Sequence, residues 1–489
     1  MPTPVPQEIP NWIDNQPVPA ASGDWFDKLR PSDGQRLCRL ARSGAADLDR
    51  ALEAARAARA AWADMTVVAR GDLMRAIALR MSERKAEIAE IVALETGKSR
   101  AEALGETQAA IEMGFFVAGE GRRYYGKTTT ASMAHRTVMT QRMPLGIAGL
   151  IIASNTPIAN VAWKAFPAML CGNPAIMKPS EDTPATAWIF GAICKEAGLP
   201  PGVFNLVQGL GAEAGSPLVE SPAVDIVSFT GSCQTGTVIQ TAAGRRLAKV
   251  CMELGGKNAL VVCDDADLDN AERWVLASSF SNAGQRCAAA SRIIVFDTIY
   301  DAFRERLVAA TRALRIGPGD DAFLGPVINE SHLDTMLEAV GQAVEQGARV
   351  LVGGERLSGP AHAAGYYMAP TILDQVAADD AIAQRELFGP ITLLFRVKDF
   401  DEALALANDS AYGLTSAIHT QSLHRAMQYA NKVEAGVVVV NGGTHGSEPH
   451  MGFGGVKNSG TGWREAGLEA LDVYSDWKYV NLIHDPGKV

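Results

Sequence analysis

From residue 145 onward, short apolar runs alternate with segments of helical length. Apolar runs at 147–153, 174–178, 203–207 and 224–229 are separated by helical patterns at 158–170, 184–197, 212–220 and 232–243. A second series has runs at 258–263, 292–296, 391–397, 414–418 and 436–440, with helical patterns at 267–280, 299–314, 332–346 and 421–432. Strands alternating with helices of that size predict βαβ units and parallel sheets. The expected fold class is therefore α/β, with two parallel-sheet lobes and a site in the cleft between them. Ahead of these lobes, residues 46–110 are Ala-rich and read as helical, with Leu73, Ile77, Met81, Ile88 and Ile91 at helical spacing. Gly97 falls where a helix C-cap is expected. The tail 472–483 alternates like a strand after the last helix. A lone terminal strand needs a sheet to join, and a second subunit is one source of it.

Composition narrows the class. At roughly 150 residues per domain, a chain of 489 residues suggests three structural units. With 47% apolar and 20% charged residues it has material for a large core, so no disulfide or metal staple is needed. The net charge of −10 argues against a nucleic-acid binder, which carries a basic face. The N-terminal residues lack the basic start and apolar run of a signal peptide. The most apolar stretch, 145–171, is interrupted by Asn155, Pro157, Lys164 and Pro167, so no membrane span is expected. Seven cysteines (38, 171, 194, 233, 251, 263 and 287) form no CxxC pair, which excludes a zinc ribbon and fits a reducing cytoplasm.

The first lobe lacks a G-x-G-x-x-G fingerprint but has two Gly-rich turns after strands. One is Gly209-Leu210-Gly211 with Gly215; the other is Gly231-Ser232 with Gly236. A strand passing into a helix there presents free N–H groups and the helix dipole to a phosphate. Ordinary turns share that pattern, and spacing does not separate the two. Lys178 and Glu181 at the end of another strand could hold ribose hydroxyls, or could be a solvated ion pair.

Cys287 stands apart from the other cysteines by its small, polar approach N-A-G-Q-R-C, with Arg286 adjacent. A catalytic thiol needs access and thiolate character, whereas apolar buried ones are inert. Glu253 precedes two glycines in MELGGKN, which remove side-chain bulk around it. A carboxylate in such a setting has a raised pKa suited to a general base. Asn155 follows a strand, where its amide could donate to an oxyanion. His445, Glu448 and His450 share a loop but make no complete ligand set, so no metal site is expected.

Taken together, Asn155, Lys178, Glu181, Gly231-Ser232, Glu253, Cys287, Glu386 and Asn441 occur in an order that resembles the aldehyde dehydrogenase superfamily. The most specific pieces are FTGS (229–232), MELGGKN (252–258), GQRC (284–287), ELFGP (386–390) and GFGGVKNSGTG (452–462). The resemblance implies a Rossmann-like domain for NAD, with NADP as the other form, over 1–124 and 144–254. It also implies a catalytic domain over 255–471 and an oligomerisation element over 125–143 and 472–489. A homodimer or homotetramer is then expected.

By the same resemblance, Lys178 and Glu181 meet the adenosine ribose, Gly211, Gly231 and Ser232 line the cofactor path, Glu386 meets the nicotinamide ribose and Phe388 the nicotinamide. Cys287 attacks an aldehyde, Asn155 and the Cys287 N–H hold the oxyanion, and Glu253 activates the water that releases the acid. Glu181 favours NAD⁺ by repelling a 2′-phosphate. Three departures from the family pattern are Ser154 and Thr156 flanking Asn155, Asn160 in place of a common apolar residue, and Gly452 before Phe453. Arg286, Thr156, Asn160 and Trp163 are the candidate substrate residues, and they suggest a polar or carboxylate-bearing aldehyde. The alternatives are a CoA-acylating dehydrogenase, against which Glu253 counts, and a non-catalytic structural homologue.

Overall fold

The computed structural model describes residues 4–488. A seven-stranded sheet lies at the centre of the first lobe. Its order is Lys249–Glu253, Ile226–Thr230, Ala148–Ile151, Ala175–Lys178, Phe204–Leu206, Asn11–Ile13 and Gln16–Val18. The first five are parallel and the two N-terminal strands antiparallel. Strands such as Ala148–Ile151 and Ala175–Lys178 are buried along their whole length. Helices cover both faces, so these strands read as apolar runs without alternation. On one face Met74, Ile77, Phe166, Phe190 and Phe204 form the core; on the other Leu52, Ile176 and Val227 do. Chain order reverses between Ala148–Ile151 and Ile226–Thr230, which opens a crevice at their carboxyl ends.

The second sheet runs Arg349–Val352, Thr371–Asp374, Ile391–Val397, Ala290–Phe296, Asn258–Val262, Thr415–His419 and Val437–Val440. All but the antiparallel Arg349–Val352 edge are parallel. The strand Lys249–Glu253 of the first sheet passes through Gly255-Gly256 directly into Asn258–Val262 of the second. The carboxyl ends of the first sheet therefore face the amino ends of the second. Cys287, ahead of Ala290–Phe296, and Glu386, ahead of Ile391–Val397, lie on that amino side.

Residues 46–110 are helical, as their pattern predicts, divided among four helices, Ala45–Asp64, Val67–Glu83, Lys85–Thr96 and Arg100–Glu120. The breaks are set by Thr66 and Ser99, whose hydroxyls cap new helices by accepting from Ala69 and Glu102 N–H, and by Gly97 at φ +78°. The 212–220 pattern opens as a wide turn over Gly211–Gly215 before the helix Ser216–Glu220. The helix Phe400–Asn408 and the strands Arg349–Val352 and Thr371–Asp374 carry no signal strong enough to predict them.

The start of the tail is also different. Residues up to Tyr474 finish a helix, Glu469–Tyr474, because Leu471, Val473 and Tyr474 are buried against the first lobe. The strand is Ser475–Ile483, and its sheet is in the same chain: it pairs along its full length with Arg136–Pro144, which also takes Thr128–Thr129. Residue 489, within the predicted oligomerisation element, and residues 1–3 lie outside the described residues. Among the described residues no helix is long and apolar enough to cross a membrane.

Candidate active site

A cavity of about 720 Å³ opens where the two sheets face each other. Cys287, Glu253, Asn155, Gly231, Ser232, Glu386, Phe388, Arg286, Thr156, Asn160 and Trp163 all line it. Lys178, Glu181 and Gly211 do not. Lys178 and Glu181 pair with each other at 3.1 Å at the end of the neighbouring strand, and a Cβ on Gly215 would lie 4.0 Å from the Lys178 stem.

Cys287 follows a sharp turn in which Asn282 (φ +53°), Ala283 (φ +53°) and Gly284 (φ +67°) are all left-handed. Strain of that kind persists only where the surroundings hold it. Here Asn258 Nδ2 donates to the carbonyls of Cys287 (2.7 Å) and Ala289 (2.9 Å), and Thr444 Oγ1 to that of Ala288 (2.6 Å). The thiol is half-buried, and burial with the nearby Glu386 and Glu253 carboxylates pushes it up to about 12. Burial thus works against the polar approach read from the sequence and favours the neutral thiol. Of the other cysteines, Cys38, Cys171, Cys194, Cys251 and Cys263 are buried, and Cys233 is half-buried with its thiol against the Asn458 carbonyl.

Glu253 ends its strand almost wholly buried, and among the described residues neither carboxylate oxygen has a hydrogen-bond partner. Burial, then the neighbouring Glu465, hold its pKa well above the carboxylate range, while Lys164 and Arg464 pull it back. Lys164 bridges Glu465 and donates to Ser228 Oγ at 2.8 Å. The two glycines that follow do not make space around Glu253. A Cβ on Gly255 would overlap Glu386, and one on Gly256 would press on Asn258 and the Cys287 carbonyl. The motif thus lets the carboxylate and the thiol loop approach one strand crossing.

Asn155 is fixed by its own backbone. Its carbonyl accepts from Lys98 Nζ (2.7 Å) and Asn282 Nδ2 (3.1 Å). Thr156, next to it, caps the helix Pro157–Leu170 without a side-chain bond. The exposed N–H groups of that helix are met instead by Glu106, whose Oε1 accepts from Ile158 (3.0 Å) and whose Oε2 holds Lys98 (2.5 Å). Lys98, Glu102 and Glu106 carry no local signal of a role here, because the groups through which they reach the site, Asn155, Ile158 and Asn282, lie about 50 or more residues away. The Ser-Arg-Ala-Glu helix start at Ser99 was the one local signal near them.

On the cofactor side, Ser232 is the N-cap of Cys233–Gly244, accepting from Thr235 N at 3.2 Å. Glu386 Oε1 accepts from Gly256 N at 3.1 Å; burial raises its pKa to about 7, against the lowering effect of that bond. Phe388 holds φ +56°, and its carbonyl accepts from His332 Nε2 at 3.1 Å.

Toward the opposite wall, Arg286 Nη2 meets Glu102 Oε1 at 3.3 Å, while Arg286 Nε, Glu102 Oε2 and His445 Nδ1 are buried without partners among the described residues. Arg286 thus pairs structurally and still faces the cavity. Burial, then Arg286, lower the His445 pKa to about 4. Trp163 packs edge-on against Phe453 at 5.4 Å. Among the described residues no group of three or more His, Cys, Asp or Glu could hold a metal ion.

The aldehyde dehydrogenase family model matches residues 18–480. An alpha-ketoglutaric semialdehyde dehydrogenase of Bacillus subtilis is 38% identical over 473 residues, covering 96% of this chain and 97% of its own. A 2-hydroxymuconic semialdehyde dehydrogenase of Pseudomonas putida is 38% identical over 485 residues, covering 97% and 99%. The crystal structure of betaine aldehyde dehydrogenase from Staphylococcus aureus in complex with NAD⁺ superposes with a TM-score of 0.96 at 31% identity, covering 99% of this chain and 96% of that one.

Proposed function

The chain belongs to the aldehyde dehydrogenase family, and from that premise we propose that it oxidises an aldehyde to the carboxylic acid through a covalent intermediate on Cys287. The convergence of Cys287, Glu253 and Asn155, from three separate segments, on one cavity carries this reading. The cavity's cofactor side suits a dinucleotide. The N-terminus of Cys233–Gly244 suits an anion, Gly231 adds no side chain, and Glu386 Oε2 has no hydrogen bond among the described residues. When bound, the oxidised cofactor supplies a hydride acceptor and a positive charge that favours the thiolate.

The Cys287 thiol loses its proton to solvent, and the sulfur adds to the aldehyde carbon as the carbonyl π electrons move to oxygen. The Asn155 amide and the Cys287 N–H donate to that oxyanion. Loss of hydride leaves a thioester. Glu253, buried and without a hydrogen-bond partner, then takes a proton from water. The new hydroxyl attacks the thioester carbon, the C–S bond breaks, and acid and thiol are released.

NAD⁺ is preferred over NADP⁺, because the half-exposed Glu181 carboxylate would repel a 2′-phosphate. The substrate is a polar or carboxylate-bearing aldehyde. Arg286 Nε and His445 Nδ1, unpartnered on the cavity wall, support this, as do two relatives named for semialdehydes. The first lobe is the cofactor domain and the second the catalytic domain. The sheet of Thr128–Thr129, Arg136–Pro144 and Ser475–Ile483, with Tyr479, Leu482 and Ile483 exposed, joins copies into a dimer or tetramer.

The test is NADH formation across aldehydes of differing charge, with free acid produced in the absence of CoA and no activity in Cys287→Ala. Acyl-CoA in place of free acid would mean a CoA-acylating enzyme. No NADH from any aldehyde would leave a non-catalytic homologue.

A further inference from the structure

Asn160 lies one turn into the helix Pro157–Leu170, buried, at a position read from the sequence as substrate-facing. Its Nδ2 is 3.3 Å from the Ala153 carbonyl and 3.4 Å from Asn155 Oδ1. The two ends of an asparagine amide are told apart by what they face. A backbone carbonyl can only accept, so the Asn160 atom beside Ala153 is its NH₂. That NH₂ in turn requires an acceptor in Asn155, so the Asn155 atom beside it is Oδ1. The Asn155 NH₂ is thereby turned away from Asn160, and among the described residues no group accepts from it.

Resting on the oxidation reading above, we propose that Asn160 is a positioning residue that fixes which end of the Asn155 amide meets the oxyanion formed at Cys287. The backbone of Asn155 is held separately, by Lys98 and Asn282 on its carbonyl. Those bonds leave the amide rotor free, so among the described residues only Asn160 selects its direction. A flipped Asn155 would present oxygen lone pairs to a developing negative charge, replacing a donor with a repulsion. The orientation is transmitted from the Ala153 carbonyl, an acceptor that cannot invert.

Two variants separate this from a substrate-binding role. Asn160→Leu keeps the size and removes the selection. Asn160→Asp offers an acceptor where the donor stood, so the Asn155 NH₂ turns toward it. Single-turnover NADH bursts would be measured with a neutral aliphatic aldehyde and a carboxylate-bearing one, at saturating NAD⁺. The expected falls are about 3–10-fold for Asn160→Leu and about 10²-fold or more for Asn160→Asp, the scale of losing one oxyanion donor. Each factor should be the same for both aldehydes, with KM for NAD⁺ unchanged. Alkylation of Cys287 by iodoacetamide develops no oxyanion, so its rate should match wild type in both variants.

Equal bursts in wild type and variants would overturn the proposal, as would a loss confined to one aldehyde or to its KM. If Asn160→Asp does not fold, the comparison of the two aldehydes in Asn160→Leu still decides. A wild-type enzyme with no burst from any aldehyde overturns the oxidation reading itself, and this proposal with it. A normal wild-type burst with unaffected variants removes the proposal alone.

Discussion

One side chain, Asn258, holds the peptide of Cys287. Its Nδ2 donates to the Cys287 carbonyl at 2.7 Å and to the Ala289 carbonyl at 2.9 Å, while its Oδ1 accepts from Thr415 N at 3.0 Å. Asn258 begins the first strand of the second sheet, so the thiol loop is tied to the rigid lobe rather than to the cavity wall. Asn258→Ala strands three groups, the buried Thr415 N–H and the part-buried carbonyls of Cys287 and Ala289. Each such loss costs about 1–3 kcal/mol, with some relief from relaxation, so a destabilisation on the order of 3 kcal/mol is expected. Denaturant unfolding measures it. The NADH burst rate should fall along with stability, because the left-handed turn before Cys287 loses its anchor.

Glu253 links stability and rate through one proton. Burial, then Glu465, raise its pKa well above 4.5, so the folded chain binds this proton more tightly than the unfolded chain does. The stabilising contribution is fully present below about 4.5, the unfolded value, and is lost as pH rises through the folded pKa. Glu253→Gln, neutral at every pH, should therefore be more stable than wild type at pH 8, with the gap closing at pH 4. Its burst should survive while steady-state turnover drops about 10²–10⁴-fold. In wild type, deacylation should rise with pH, because the carboxylate is the working form. A variant with unchanged steady-state turnover would remove Glu253 as the base.

Arg286 faces the cavity with Nε free and Nη2 shared with Glu102. Arg286→Met should raise KM for carboxylate-bearing aldehydes about tenfold or more, the scale of a lost charge-assisted hydrogen bond, and leave neutral aldehydes nearly unchanged. KM values for matched pairs of aldehydes give the answer. A uniform change across both classes would assign Arg286 to structure.

Glu181 offers a test of cofactor choice away from the chemistry. Its carboxylate is half-exposed and bonded to Lys178. Glu181→Gln should raise kcat/KM for NADP⁺ about tenfold by removing one like charge, with a small effect on NAD⁺. Specificity constants for both cofactors decide this, and an unmoved ratio would place the 2′-position elsewhere.

Much of the scaffold was readable along the chain. The apolar runs became strands because both sheets are covered on two faces, and Gly97 caps a helix at positive φ as its position required. In the tail, alternation predicts a strand from residue 472, but burial of Val473 and Tyr474 against the first lobe keeps the chain helical until Ser475. Its partner strand, Arg136–Pro144, lies more than 330 residues earlier, beyond any local pattern.

At the site, the sequence by itself determined the chemistry-bearing residue types and the βαβ order that brings Gly231 and Glu253 to strand ends. These are local matters of periodicity and turn chemistry. Only the tertiary structure decided how they are held: Asn258 on the Cys287 carbonyl, Lys98 on that of Asn155, Asn160 on the Asn155 amide, and Glu102 on Arg286. Each is a polar group whose partner is supplied by another segment or another face of the same turn. Burial obliges such groups to find partners, but which partner each finds depends on how the segments pack.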